Sequence, residues 1–232
     1  GDGRWIVFES RAANLVPGST NGKTQIYLYD RVNATLKRIT NTTVGATPGS
    51  AGAFDSFTAR IGSDGAAVVF NSVANNLVAG DADNAEDIFL YRLSDGSLTR
   101  VSAPAGVQPN SIADYWPAVS NGGRFVAFAS FASNLVTGDI AGKEDVFVRD
   151  MQTGAITRVS VTSAGGEANA DSSFPSISAD GCIVAFLSRS TNLVTGDNGS
   201  GARKAFVRDR CAGTTEFASL TADASTQGSV LG

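Results

Sequence analysis

Short apolar runs alternate with polar stretches along the whole chain. In each quarter of the sequence one such run follows a Gly-containing turn, at residues 5–8, 67–70, 125–128 and 183–186. Continuous apolar runs of this length indicate strands that are covered on both faces. The pattern therefore predicts an all-β fold.

An Asn-Leu-Val tripeptide marks the same point of each repeat. It begins at Asn14, Asn76, Asn134 and Asn192, with spacings of 62, 58 and 58 residues. Each repeat also predicts a second apolar strand (26–29, 88–91, 146–149, 205–208), a more polar third strand (36–39, 98–101, 156–159) and a fourth strand before the next turn (57–61, 116–120, 174–178).

Four antiparallel strands per repeat, two of them apolar throughout, need neighbours on both faces. Radial stacking of such sheets is a β-propeller. A right-handed solenoid is the alternative, but its repeats are usually shorter. We predict one β-propeller domain over residues 1–232, with repeats at approximately 1–61, 62–119, 120–177 and 178–232.

The two ends of the chain bear on how this ring closes. Residue 1 stands just after the expected position of a fourth strand, and residues 225–231 stand where such a strand is expected at the other end. The tail could supply the missing strand of the first blade. The alternatives are a part of a larger ring, or an open half-ring that pairs with another copy.

Composition narrows the chemistry. The chain contains no histidine, which removes Ser-His-Asp and Cys-His catalysis and every histidine-ligated metal site. A net charge of −4 argues against a general basic surface for nucleic acid. No run of 18 apolar residues occurs, so no membrane span is predicted.

The two cysteines fall in one repeat. Cys182 opens the first strand of the fourth repeat and Cys211 follows the end of the second strand. Because these strands are expected to be antiparallel neighbours, the two thiols should lie within reach of a disulfide. Such a bridge implies an oxidising compartment, extracellular or periplasmic. Two unrelated buried thiols are the alternative.

The loop after each Asn-Leu-Val is the main metal candidate. Ca²⁺ takes several oxygen ligands from a tight loop, and the second and third repeats place acids there. The candidate ligands are Asp81, Asp83, Asp87, Asp139 and Asp145. The alternative is that these side chains cap turns and accept backbone N–H bonds at the start of the second strand.

Three other groups have structural interpretations. The Asn of each Asn-Leu-Val is predicted to form an Asx turn over an apolar plug. Arg38, Arg100 and Arg158 are predicted to be edge-strand charges. Tyr115 and Trp116 could stack on a sugar, but an aromatic residue before proline in an inner strand favours the core.

Several segments together carry a family resemblance. They are Ile-Val-Phe-Glu-Ser at 6–10, Asp-Val-Phe-Val-Arg-Asp at 145–150, Thr-Arg-Val-Ser at 157–160 and Phe-Pro-Ser-Ile-Ser at 174–178. The chain resembles the TolB-like propeller repeats of bacterial envelope and secreted proteins, with an Asn-Leu-Val insert. The resemblance implies the propeller fold, which serves as a binding platform, an enzyme domain or a spacer. Because the repeats carry no catalytic residues, we predict a non-catalytic interaction or structural module that binds other proteins or copies of itself. Glycan binding is the alternative, and a hydrolase or lyase domain is less favoured because related lyases rely on histidines.

Overall fold

The computed structural model describes residues 2–17, 22–42, 54–81, 85–103, 107–113, 116–140, 142–197 and 201–218. These residues form four antiparallel sheets, which we number as blades 1 to 4. Their strands are, in blade 1, β1 (Trp5–Ser10), β2 (Gln25–Asp30) and β3 (Thr35–Arg38); in blade 2, β4 (Ser56–Ile61), β5 (Ala67–Ser72), β6 (Asp87–Arg92) and β7 (Leu98–Arg100); in blade 3, β8 (Ala118–Val119), β9 (Phe125–Ser130), β10 (Asp145–Asp150) and β11 (Ile156–Arg158); in blade 4, β12 (Ser172–Ile177), β13 (Ile183–Ser188), β14 (Lys204–Asp209) and β15 (Thr214–Phe217).

Strands follow one another within each blade, and every neighbouring pair is antiparallel. Blades 2, 3 and 4 each contain four strands, whereas blade 1 contains three among the described residues. Residues 225–231, which the sequence suggested as the fourth strand of blade 1, lie outside the described ranges. The predicted all-β propeller of four blades is confirmed.

All four blades meet around one cavity of about 410 Å³. The innermost strands β4, β8 and β12 line it from blades 2, 3 and 4, and Val7 of β1 lines it from blade 1. The lining residues are Val7, Ala59, Arg60, Ile61, Ala118, Val119, Ser176 and Ile177. Sheets that share an axial cavity in this way are arranged radially, as a propeller requires.

Each blade has one aromatic face and one small face. The aromatic face carries a pair of stacked rings from the two central strands, with centroids 5.6, 5.7, 5.7 and 5.8 Å apart in blades 1 to 4. The small face carries mostly Ala, Val, Ile and Leu. Three apolar clusters join the small face of blades 1, 2 and 3 to the aromatic face of the following blade. Burial between blades, rather than within one sheet, therefore stabilises the fold.

The sequence predicts that the first strand after each turn is covered on both faces in all four blades. In the structure the extent of burial differs between blades. In blade 2, β5 is buried along its whole length, and in blade 3 β9 is nearly so. In β13, by contrast, buried positions alternate with more exposed ones, and in β1 both Ile6 and Glu9 are exposed. None of the three clusters of described residues joins blade 4 to blade 1. On the faces of blades 1 and 4 that these clusters leave out, Ile6 and Ile183 are exposed, whereas Tyr27 of blade 1 is fully buried.

A bulge interrupts the innermost strands of blades 2 and 4. Thr58, Trp116 and Phe174 occupy equivalent positions in blades 2, 3 and 4 and have left-handed φ angles of 53°, 73° and 54°. The bulge turns these side chains outward, and Trp116 is 42% exposed. The prediction that Trp116 belongs to the core is wrong for this reason. Tyr115 lies outside the described residues.

The predicted disulfide is confirmed. Cys182 and Cys211 are bonded, with Cα atoms 5.4 Å apart. The bond joins the turn before β13 to the turn after β14, at the end of blade 4. Among the described residues, no helix has the length and apolar character that a membrane crossing requires.

Candidate functional site

A buried polar position recurs where the second strand of each blade begins. It holds Gln25, Asp87, Asp145 and Lys204 in blades 1 to 4, and each residue is at most 2% exposed. In blades 2 and 3 a serine just after the third strand fixes the carboxylate. Ser160 donates to Asp145 Oδ1 at 2.5 Å and accepts from the Val146 N–H at 3.1 Å. In blades 2 and 3 the position thus holds an acid whose orientation is fixed inside the blade.

In blade 2 the partner of this charge is Arg100. Its guanidinium Nη1 lies 3.3 Å from Asp87 Oδ2, 3.5 Å from Asp81 Oδ1 and 2.9 Å from Gln108 Oε1. Asp81 comes from the loop and Asp87 from the second strand. The structure therefore brings together two residues that the sequence analysis assigned to the same candidate site. Asp83 lies outside the described residues.

Blade 3 has the same arrangement with one more acid. Arg158 Nη1 lies 3.1 Å from Asp139 Oδ1, 3.6 Å from Asp145 Oδ2 and 3.3 Å from Glu167 Oε1. Lys143 Nζ contacts Glu167 Oε1 at 3.2 Å. Ligand atoms of the three acids all lie within 4.8 Å of one another. Three carboxylates therefore share two cations.

Burial raises the pKa of two of these acids. Burial raises the pKa of Asp145 to about 6, against the opposing effects of Ser160 and Arg158. Burial also raises the pKa of Asp139, with Arg158 acting in the opposite direction. The Oδ2 atoms of both residues are buried and accept no hydrogen bond from the described part of the chain. A carboxylate in this position is disfavoured relative to its neutral form.

Blade 4 replaces both partners. Lys204 stands where the aspartate is found, Phe217 stands where Arg158 is found in blade 3, and Lys204 Nζ forms a buried ion pair with Asp197. Both side chains of this pair are 1% exposed. In blade 4 the cation that pairs with the loop aspartate is Lys204 of the second strand, whereas in blade 3 it is Arg158 of the third strand.

This geometry bears on the predicted calcium ligands Asp81, Asp83, Asp87, Asp139 and Asp145. Carboxylate oxygens are suitable donors for Ca²⁺, and blade 3 supplies three of them. However, a guanidinium nitrogen already lies at 3.1–3.6 Å from all three acids. A cation would have to compete with Arg158, and calcium binding stays a prediction.

The third-strand arginines differ from their predicted role as edge-strand charges. Arg38 is 6% exposed, and the side chains of Arg100 and Arg158 are 11% exposed. Arg100 and Arg158 point into the blade towards the acids of the loop and second strand, and Arg38 donates to Asn41 Oδ1 at 2.8 Å. Their strands β3, β7 and β11 are edge strands, as predicted, but the arginine side chains are largely buried rather than exposed.

The Asn markers bridge two loops, and the plug beside them is buried. Asn192 Nδ2 donates to the Glu167 carbonyl at 2.9 Å, and its Oδ1 accepts from the Asn169 N–H at 3.0 Å. Asn134 contacts the Gln108 carbonyl and the Asn110 N–H in the same way. The following leucines are at most 7% exposed. These contacts reach the preceding inter-blade loop rather than forming a local Asx turn.

Sequence reasoning missed Glu167. The signal was present, because Glu167 stands two residues before Asn169 just as Gln108 stands two residues before Asn110. Aligning these loops would have placed both side chains beside a third-strand arginine.

Two aromatic rings project beside the axial cavity with cations over their faces. The Arg60 guanidinium carbon lies 5.0 Å from the centroid of the Trp116 ring, and that of Arg203 lies 5.4 Å from the Phe174 ring. The rings are 42% and 41% exposed. Thr58 adopts the same backbone bulge, so the bulge does not require an aromatic side chain.

No protein-family model and no curated protein matches the chain. Among solved structures, putative TolB from Agrobacterium tumefaciens is 18% identical with a TM-score of 0.54, covering 93% of this chain and 61% of that chain. Oligogalacturonate lyase from Vibrio parahaemolyticus is 12% identical with a TM-score of 0.53, at 93% and 49%. Dipeptidyl peptidase 4 from Porphyromonas gingivalis is 11% identical with a TM-score of 0.52, at 92% and 31%. This chain thus spans less than two thirds of each structure, and the likeness supports a TolB-like propeller fold alone.

Proposed function

We propose that this chain is a non-catalytic propeller module that binds other proteins, copies of itself included. The observation that carries the proposal is the exposure of one isoleucine on a strand face of each terminal blade. Ile6 of blade 1 is 45% exposed and Ile183 of blade 4 is 36% exposed, whereas the equivalent residues of blade 2, Val68 and Ala67, are fully buried. Exposed apolar faces of this kind mark interaction sites.

The ionisable residues support a structural rather than a catalytic use. Arg60 is the one ionisable side chain among the described residues that line the axial cavity. Glycoside cleavage usually needs two carboxylates that flank the scissile bond. The buried acids of blades 2 and 3 instead face the arginines of their own blade.

The disulfide supports an oxidising compartment for this module. A bond between Cys182 and Cys211 persists outside the reducing cytosol. We therefore place the protein outside the cell or in the periplasm as part of the same proposal.

The proposal is tested by affinity capture from an extract of the cell envelope. Wild-type protein is compared with Ile6→Glu and with the control Val32→Glu, which changes a turn residue that is 72% exposed. We expect at least one protein, which can be the chain itself, to be retained by wild type and control and lost with Ile6→Glu. If no protein shows this dependence on the blade face, including with Ile183→Glu, the proposal fails.

A second candidate, glycan binding, is favoured by Trp116. Its exposed ring beside Arg60 offers a stacking surface for a sugar and a cation for an acidic substituent. A glycan array with wild type and Trp116→Ala separates the two functions. Binding that Trp116→Ala abolishes supports the glycan function, and an array without binding removes it.

A further inference from the structure

Blades 1 and 4 each have a face that none of the three apolar clusters of described residues joins to another blade. Ile6 and Ile183 are exposed on these faces, whereas Tyr27 is buried. Within the chain, each interface joins a small face to an aromatic face. Blade 4 ends the series with a small face, made of Ile183, Ala185, Leu187, Ala205 and Val207. Blade 1 begins it with an aromatic face, made of Ile6, Phe8, Tyr27 and Tyr29. Each copy of the chain therefore carries one small face and one aromatic face that could pack on each other.

A contact at the turns makes this match specific. In each internal interface, the first residue of the small face lies on the turn glycine of the next blade. A Cβ on Gly65 would lie 2.9 Å from Trp5, one on Gly123 would lie 2.7 Å from Ala67, and one on Gly181 would lie 2.1 Å from Phe125. The next pair in the series is Ile183 with Gly3. Gly3 has the same positive φ of 71°, and the one atom found near its Cβ position belongs to Arg31.

A polar contact between neighbouring blades also has a counterpart on the faces of blades 4 and 1. Lys37 on the small face of blade 1 donates to the Tyr91 hydroxyl on the aromatic face of blade 2, at 3.0 Å. The equivalent residues on the faces of blades 4 and 1 are Glu216 of β15, which pairs with Val207, and Tyr29 of β2. A tyrosine hydroxyl is a good donor to a carboxylate. Glu216 is exposed and Tyr29 half-buried, so both are available.

We infer that the occupant is a second copy of this chain. The small face of blade 4 in each copy packs on the aromatic face of blade 1 in the other, and the two equal interfaces close an eight-bladed ring with two-fold symmetry. Two head-to-tail interfaces close a ring when the rotation fits, and eight blades lie within the range that propellers adopt. This inference rests on the proposed function and specifies its partner.

The inference is tested by light scattering on size-exclusion fractions of the whole chain. We expect wild type at about 100 µM to have twice the monomer mass of 23.8 kDa, in line with the affinity expected of a two-interface ring. Ile6→Glu and Ile183→Glu should each be monomeric, and the control Val32→Glu should dimerise like wild type. Thermal melts establish that every variant is folded.

Mixing distinguishes the head-to-tail arrangement from a symmetric one. Ile6→Glu keeps an intact small face and Ile183→Glu keeps an intact aromatic face, so an equimolar mixture should recover a dimer that neither variant forms alone. A monomeric wild type overturns the inference, as does a dimer that resists either substitution or a mixture that stays monomeric. If wild type is monomeric yet captures another protein through Ile6 or Ile183, the second-copy inference fails while the proposed function stands.

Discussion

The buried carboxylate of Asp145 should destabilise the protein near neutral pH. Its side chain is 2% exposed, and burial raises its pKa from 3.8 to about 6. The folded protein therefore binds more protons than the unfolded chain between these values. By linkage, this group stabilises the fold fully below about pH 4, and that stability is lost as the pH rises through about 6.

The size of the effect follows from the shift. A difference of about 2 pKa units corresponds to about 3 kcal/mol between the protonation states, of which about 2 kcal/mol develops between pH 4 and pH 8. Asp145→Asn removes the titration and keeps an oxygen that can accept from Ser160. Relative to wild type, the variant should gain about 2 kcal/mol in the free energy of unfolding between pH 4 and pH 8.

Urea unfolding of both proteins at pH 4, 6 and 8 measures this difference. Asp150→Asn is the matched control, because the Arg124 guanidinium holds the pKa of Asp150 below its usual value. The stability that Asp150 contributes is therefore almost fully present at pH 4 and should change little up to pH 8. If Asp145→Asn costs more stability at pH 8 than at pH 4, then Arg158 stabilises the charged form and the reasoning is wrong.

Three further predictions concern the rest of the fold. Replacing Cys182 and Cys211 together by alanine opens a loop with a sequence separation of 29 and should lower the unfolding free energy in calorimetry by about 3–4 kcal/mol; an unchanged melting temperature in non-reducing buffer would contradict this. Gly181→Ala should lower the melting temperature more than Gly154→Ala, since both have positive φ but Gly154 has no atom within 4 Å of the new Cβ, and equal shifts would mean that the blade contact is unimportant. Arg158→Met should make the protein bind Ca²⁺ more tightly than wild type, seen as a larger thermal shift at millimolar calcium; an identical shift would show that the guanidinium does not compete for the acids.

The sequence predicted what depends on periodicity. The repeats, the strand order, the disulfide and the pairing of loop and strand acids all follow from spacing, because an antiparallel blade converts spacing directly into neighbours. The outward turn of Trp116 could not be predicted in this way. It depends on a left-handed backbone at one residue, and aromatic residues adopt that conformation rarely.

The exposure of the terminal blades also lies beyond the strand pattern. The segments 5–8 and 183–186 are as apolar as their counterparts in blades 2 and 3, because each is built to be covered on both faces. Whether a second cover is present depends on the neighbouring blade, which is a property of the assembly and not of the segment. The apolar residue Ile6 therefore predicts an interface without identifying its partner.

The buried charges of blade 4 argue that these ion pairs serve the loops. Blades 2 and 3 supply the cation from the third strand, and blade 4 supplies it from the second strand through Lys204. If the cation served only to neutralise the second-strand aspartate, blade 4 would need no cation, because Lys204 replaces that aspartate. Instead Asp197 keeps a buried partner, so the common element is the loop aspartate held against the blade. Removing one partner of such a buried pair is strongly destabilising, and this pairing fixes the Asn-Leu-Val loop in blades 2, 3 and 4.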